Sequence, residues 1–177
     1  VELSNRGVDT NQENHDEWLI DLWNSQVNSG DVVYHLGDFS FSDKYNEIES
    51  IIEKLNGNIF LIKGNHDKRE ILASLEQNKK VVKVFDYLER KFNKIDFILF
   101  HYPIGSFNKQ RYGAFHLHGH SHGNYSDTKG RMLDVGPDSA YNIFGRHKFF
   151  SLENVVEILK DKKIYIADSH RSGRNIL

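Results

Sequence analysis

Apolar and polar positions along this 177-residue chain fall into two kinds of segment. Residues 12–27 space Trp18, Leu19, Leu22, Trp23 and Val27 along one stripe, with acids toward the first turns, which predicts an amphipathic helix. Residues 44–55 repeat the design with Ile48, Ile51, Ile52 and Leu55, and Asn56-Gly57 marks the stop. Between these lie short runs rich in β-branched and aromatic residues, VVYHL (32–36), NIFLIK (58–63), DFILF (96–100) and AFHLH (114–118), each predicting a buried strand. A short helix is expected over 68–77, two strands around a polar turn within 81–100, and a further strand in RMLDVG (131–136). A helix from about 151 to 160 is opened by Ser151 and Asn154. A fifth strand-like run, 164–168, stands near the carboxyl end. Strands alternating with helices early and strand pairs later predict an α/β fold with two sheets rather than one.

Composition narrows the setting. A length of 177 residues with 38% apolar content suits a single domain spanning 1–177. A net charge of −2 argues against a broad footprint for nucleic acid or anionic membrane. The absence of cysteine excludes disulfides and thiolate metal sites. No apolar run approaches the roughly 20 residues of a membrane span, and the first residues lack a signal-peptide core, so a soluble, cytoplasmic protein is expected. Its oligomeric state is left open.

The chemistry sits where the apolar runs end. Gly37-Asp38, Gly64-Asn65-His66-Asp67, His101 and Gly119-His120-Ser121-His122 each follow a predicted strand, and 164–168 leads into Asp168-Ser169-His170. Ligands at the carboxyl ends of parallel strands converge on one crevice. Asp, Asn and His without thiol describe a site for hard or borderline divalent ions. Two such ions roughly 3.5–4 Å apart can clamp the attacking and leaving oxygens of a phosphoryl transfer. Asp38 offers the two oxygens a bridging ligand needs, His120 and His122 can direct one imidazole to each ion, and Asn65 can ligate through its amide oxygen without adding charge. His66 beside Asp67 reads as a general acid oriented by a carboxylate. His15, His35 and His147 read as ordinary core or surface residues, Trp18 and Trp23 as core. His116 and His118 alternate on one strand face, where one of them can support a ligand by a hydrogen bond.

These segments resemble those of the calcineurin-like metallophosphoesterase superfamily, D-x-H, G-D, G-N-H-D/E, H and G-H-x-H. The resemblance implies a four-layer α-β-β-α sandwich of two mixed sheets flanked by helices. It further implies one ion held by Asp168, His170 and His122, the other by Asn65, His101 and His120, with Asp38 bridging. Its activity would be hydrolysis of phosphate monoesters or small diesters, with a metal-bridging water or hydroxide as nucleophile and His66, supported by Asp67, as acid. Mn²⁺ is the preferred ion, with Fe, Zn²⁺, Ni²⁺ and Co²⁺ as alternatives. A non-catalytic binding scaffold and a nuclease are the other readings. In the family D-x-H comes first, whereas here it comes last, so the order is that of a circular permutation, and 164–168 is expected beside 32–36. Arg174, past D-x-H, is a candidate contact to substrate phosphate.

Overall fold

The computed structural model describes residues 12–125 and 129–167. Its elements run α1 (Gln12–Asn24), β1 (Val32–His35), α2 (Tyr45–Lys54), β2 (Asn58–Ile62), α3 (Arg69–Leu75), β3 (Val81–Phe85), β4 (Leu88–Phe92), β5 (Ile95–Leu99), β6 (Phe115–His118), β7 (Met132–Asp134), α4 (Pro137–Phe144) and α5 (Leu152–Leu159). They build two sheets, ordered β1-β2-β3 and β4-β5-β6-β7. The first is parallel throughout, and the second is mixed, with β4 antiparallel to β5 and the rest parallel. The expected α/β architecture of two sheets flanked by helices is therefore the observed one.

Period-two burial sorts the side chains. On β2, Ile59 and Leu61 face the helices, where they meet Trp23 of α1, Ile48 and Ile52 of α2, and Leu72 and Leu75 of α3. The alternate residues face the second sheet. Tyr34 stacks on Phe60 with ring centroids 5.1 Å apart and meets Phe92 at 5.8 Å, while Ile62 joins Phe97, Leu99, Phe115, Leu117 and Leu133 in one apolar cluster. Helix α5 packs Val155 and Leu159 into that cluster. Its start is a capping box, in which Ser151 Oγ accepts from the Asn154 backbone N–H and Asn154 Oδ1 accepts from the Ser151 N–H. The other face of the second sheet carries Ile98, His116 and Met132 in register.

Three expectations are corrected. The stretch 81–100 holds three strands instead of two, because residues 86–87 carry the chain from the first sheet to the second. Helix α4 stands outside the expected elements, although Pro137 in its first turn and Gly145 after its last are ordinary boundary signals. Residues 163–167 form no strand beside β1, which among the described residues pairs with β2 alone. The guanidinium of Arg131 donates to the carbonyls of Lys160 and Lys162 at 2.7 and 3.1 Å, pinning the chain after α5 near the amino end of β7. Ile164 and Tyr165 accordingly lie against Gly113 and Gly130, ahead of β6 and β7.

Candidate metal centre

Four loops leave the carboxyl ends of β1, β2, β5 and β6 and bring Asp38, Asn65, His101 and His120 together. Glycines let them approach. A Cβ on Gly37, whose φ is +96°, would stand 2.5 Å from His101 Nδ1 and 2.7 Å from the Gly64 nitrogen, and one on Gly64 would overlap the Asp38 carboxylate. Asp38, His120 and His122 hold left-handed backbone, with φ of 55°, 62° and 48°. Such a conformation in a residue with a Cβ costs about 1–3 kcal/mol and persists only where its surroundings impose it.

Beneath the loops lies Asp67, buried, with its carboxylate wholly occupied by backbone. Oδ2 accepts the N–H groups of Asp38 and Gly64, each at 2.8 Å, and Oδ1 accepts that of Phe39 at 2.9 Å. The role expected for Asp67, orienting the His66 imidazole, is not the one its carboxylate performs. It ties the β1 loop to the β2 loop. His66 is exposed at the rim, with its backbone N–H donating to Asp38 Oδ1 at 2.9 Å.

The tautomer of His101 follows from its partners. Nδ1 is 2.7 Å from the Leu36 carbonyl oxygen, which only accepts, so Nδ1 bears the proton and donates. In the neutral ring Nε2 is then a bare lone pair, and it faces Asn65 Oδ1 at 2.9 Å and Asp38 Oδ2 at 3.3 Å. Three acceptors so close repel unless a cation lies among them. Donor atoms of Asp38, His101 and His120 all fall within 4.8 Å of one another. This neutral-imidazole, carboxylate and amide set fits a hard or borderline divalent ion, and the Leu36 carbonyl supplies the outer contact that holds a ligating histidine in its tautomer.

His122 stands apart from this cluster among the described residues. Its Nδ1 is 3.0 Å from Asp138 Oδ2, and its side chain is 43% exposed. Asp138 lies in the first turn of α4, and without that helix nothing in the sequence sets this carboxylate beside His122. Asp168, His170 and Arg174 lie outside the described residues.

Three histidines support the centre from behind. His116 is buried, its Nδ1 3.1 Å from the Ile98 carbonyl oxygen, while Nε2 accepts the Ile104 N–H at 3.2 Å, so its ring braces the loop after His101. Burial pushes its pKa down to about 4. His118 Nδ1 lies 2.9 Å from the Gly119 carbonyl oxygen, next to the turn that presents His120. Burial lowers its pKa too, and also that of His35, where the Asp67 and Asp38 carboxylates pull partly the other way. His35 therefore belongs to the surroundings of the centre, a placement its position two residues before Gly37 could have signalled.

Comparison with known proteins agrees with this geometry. Residues 14–155 match the model of the calcineurin-like phosphoesterase superfamily domain. The chain is 28% identical to an uncharacterised protein, MJ1445, of Methanocaldococcus jannaschii, over 88% of this chain and 81% of that one. It is 27% identical to the gene 66 protein of Mycobacterium phage D29, over 81% of this chain and 85% of that one. Its fold is similar to that of the crystal structure of AQ665 from Aquifex aeolicus, a protein of unknown function, with a TM-score of 0.65 and 21% identity over 88% and 90% of the two chains. The described residues include no helix long and apolar enough to cross a membrane.

Proposed function

Because the chain belongs to the calcineurin-like phosphoesterase superfamily, we propose that it is a two-metal hydrolase of small phosphate esters, with Mn²⁺ as the preferred ion. The observation that carries this reading is the convergence of Asp38 Oδ2, Asn65 Oδ1 and a bare His101 Nε2 beside His120. These four residues would hold one ion, with Asp38 shared between the two. The second ion would take His122, held by Asp138; Asp168 and His170, the other ligands that the resemblance implies, would reach it only through a path other than the expected strand beside β1. When bound, divalent ions neutralise phosphate charge and lower the pKa of a coordinated water toward about 7. His66, exposed at the rim, would give a proton to a departing alkoxide, while Asp67 keeps the two loops in register. Arg174 is the proposed contact to substrate phosphate. A net charge of −2 favours small esters over nucleic acid.

The test is a set of metal-reconstituted assays on an aryl phosphate, an aryl phosphodiester, a cyclic nucleotide and an alkyl phosphate, with bound metal quantified. Metal-dependent turnover of at least one ester is expected. Asp38→Asn should lose both metal and turnover. His66→Asn should keep its metal and lose about 10²–10⁴-fold in turnover of the alkyl ester, the usual contribution of a positioned acid. Absence of bound metal after reconstitution, or wild-type turnover of the alkyl ester by His66→Asn, would overturn the respective assignments.

A further inference from the structure

Two of the loops that build the centre also hold large aromatic rings out to solvent. Phe41, in the loop between β1 and α2, is 68% exposed, and its ring meets that of His66 edge-on at 4.8 Å. Tyr102, directly after His101, is 36% exposed and packs against the rings of His120 at 4.6 Å and His101 at 4.8 Å. From Tyr102 the row continues through Phe100, at 5.7 Å, to the exposed Tyr87, at 6.1 Å from Phe100. Folding derives little from apolar rings left in water, and exposed apolar surface beside a polar site marks a binding surface. Exposed aromatics elsewhere do not share this setting. Tyr112 lies beneath the Arg111 guanidinium, and Tyr141 stacks on His147.

We propose, resting on the phosphoesterase reading above, that Phe41 and Tyr102 form a binding face for a planar heteroaromatic base, so that the preferred ester belongs to the nucleotide class. The phosphate end of such a ligand is polar and multiply charged, and it suits the centre formed by Asp38, His101 and His120 only with cations present. The base end is flat, apolar on its faces and sequence-tolerant in stacking on Phe and Tyr. Tyr102 meets the rings of His101 and His120 of that centre, and Phe41 meets the ring of His66, the proposed acid. A phosphate ester of a simple alcohol would leave the rings without a partner.

The experiment is calorimetric titration of the manganese-loaded full chain with the phosphonate analogues of adenosine monophosphate and of ribose phosphate, whose P–C bond is not hydrolysed, and with inorganic phosphate. The adenosine compound should bind about tenfold more tightly than the ribose compound, the effect of one stacked base. Phe41→Ala and Tyr102→Leu should each bring that ratio toward one, and Tyr102→Phe, which keeps the ring, should preserve it. Bound metal, measured alongside, confirms that the centre is assembled in each variant. Equal affinity of the two phosphonates in the wild type, with phosphate still bound, would overturn the base-binding face and leave the phosphoesterase reading intact. Selectivity for the adenosine compound without hydrolysis of any ester would support the face and overturn the hydrolase. Failure to bind any of the three compounds would overturn the proposal, as would variants that alter oligomeric state and leave the ratio unchanged.

Discussion

Asp67 accepts three backbone N–H groups from two loops with one carboxylate. Hydrogen bonds to a charged acceptor are stronger than neutral ones, and here they fix the backbone of Asp38 itself. Asparagine has the same shape but a single acceptor oxygen, and its NH₂ would face a buried N–H. Asp67→Asn should therefore destabilise the fold by about 2–4 kcal/mol in urea unfolding, and it should weaken metal binding although it touches no ion. A loss below about 0.5 kcal/mol, the range of an ordinary surface substitution, would show that the loops hold their register without it. His66→Asn, one residue away and exposed, should leave stability nearly unchanged. These two outcomes would separate neighbouring positions of one motif into framework and surface.

At the level of elements, the hairpin joining β4 to β5 has both turn residues in left-handed backbone, Asn93 with φ 48° and Lys94 with φ 69°. Two positive φ values in a two-residue loop match the right-handed twist of the strands and favour Asn followed by Gly. Asn93 suits its place, while Lys94 carries a Cβ against the conformation. Lys94→Gly should therefore raise stability by about 1 kcal/mol, read as a higher urea midpoint at unchanged slope. A fall in midpoint would mean that the lysine side chain makes a compensating contact. The turn also explains why the sequence of 81–100 predicts two strands. Its local signal is strong, whereas the crossing at residues 86–87 between sheets has no comparable turn chemistry.

Across the whole molecule, the burial-lowered pKa values of His116, His118 and His35 behind the centre make acid sensitivity a collective property. His116 has a folded pKa of about 4 against an ordinary 6.5. Between those values the unfolded chain takes up a proton that the folded one refuses. The stability this contributes is complete above pH 6.5 and is lost as pH falls toward 4, on the order of 3 kcal/mol from this residue. His118 and His35, also lowered chiefly by burial, act in the same direction. The urea midpoint should therefore fall steeply from pH 6.5 to 4, and His116→Gln should flatten the slope in that window while lowering stability at pH 7. An unchanged slope in that variant would assign the acid sensitivity to other groups.

Local physics made much of this protein legible in its amino-acid order. Strand runs such as 58–62 declare themselves by β-branched content, the helices by three-to-four spacing, and the Ser151 cap by side-chain reach of one turn. Asp38, Asn65, His101 and His120 were recognisable because a metal donor following an apolar run emerges at a sheet edge. Long-range contacts decided the rest. Which sheet receives β3 and which β4, the capture of Asp67 by the backbone of two loops, the pairing of His122 with Asp138, and the path of residues 160–165 along Arg131 all join positions far apart in sequence. No periodicity within a single segment records such contacts, because their energy exists only once the two sheets have packed.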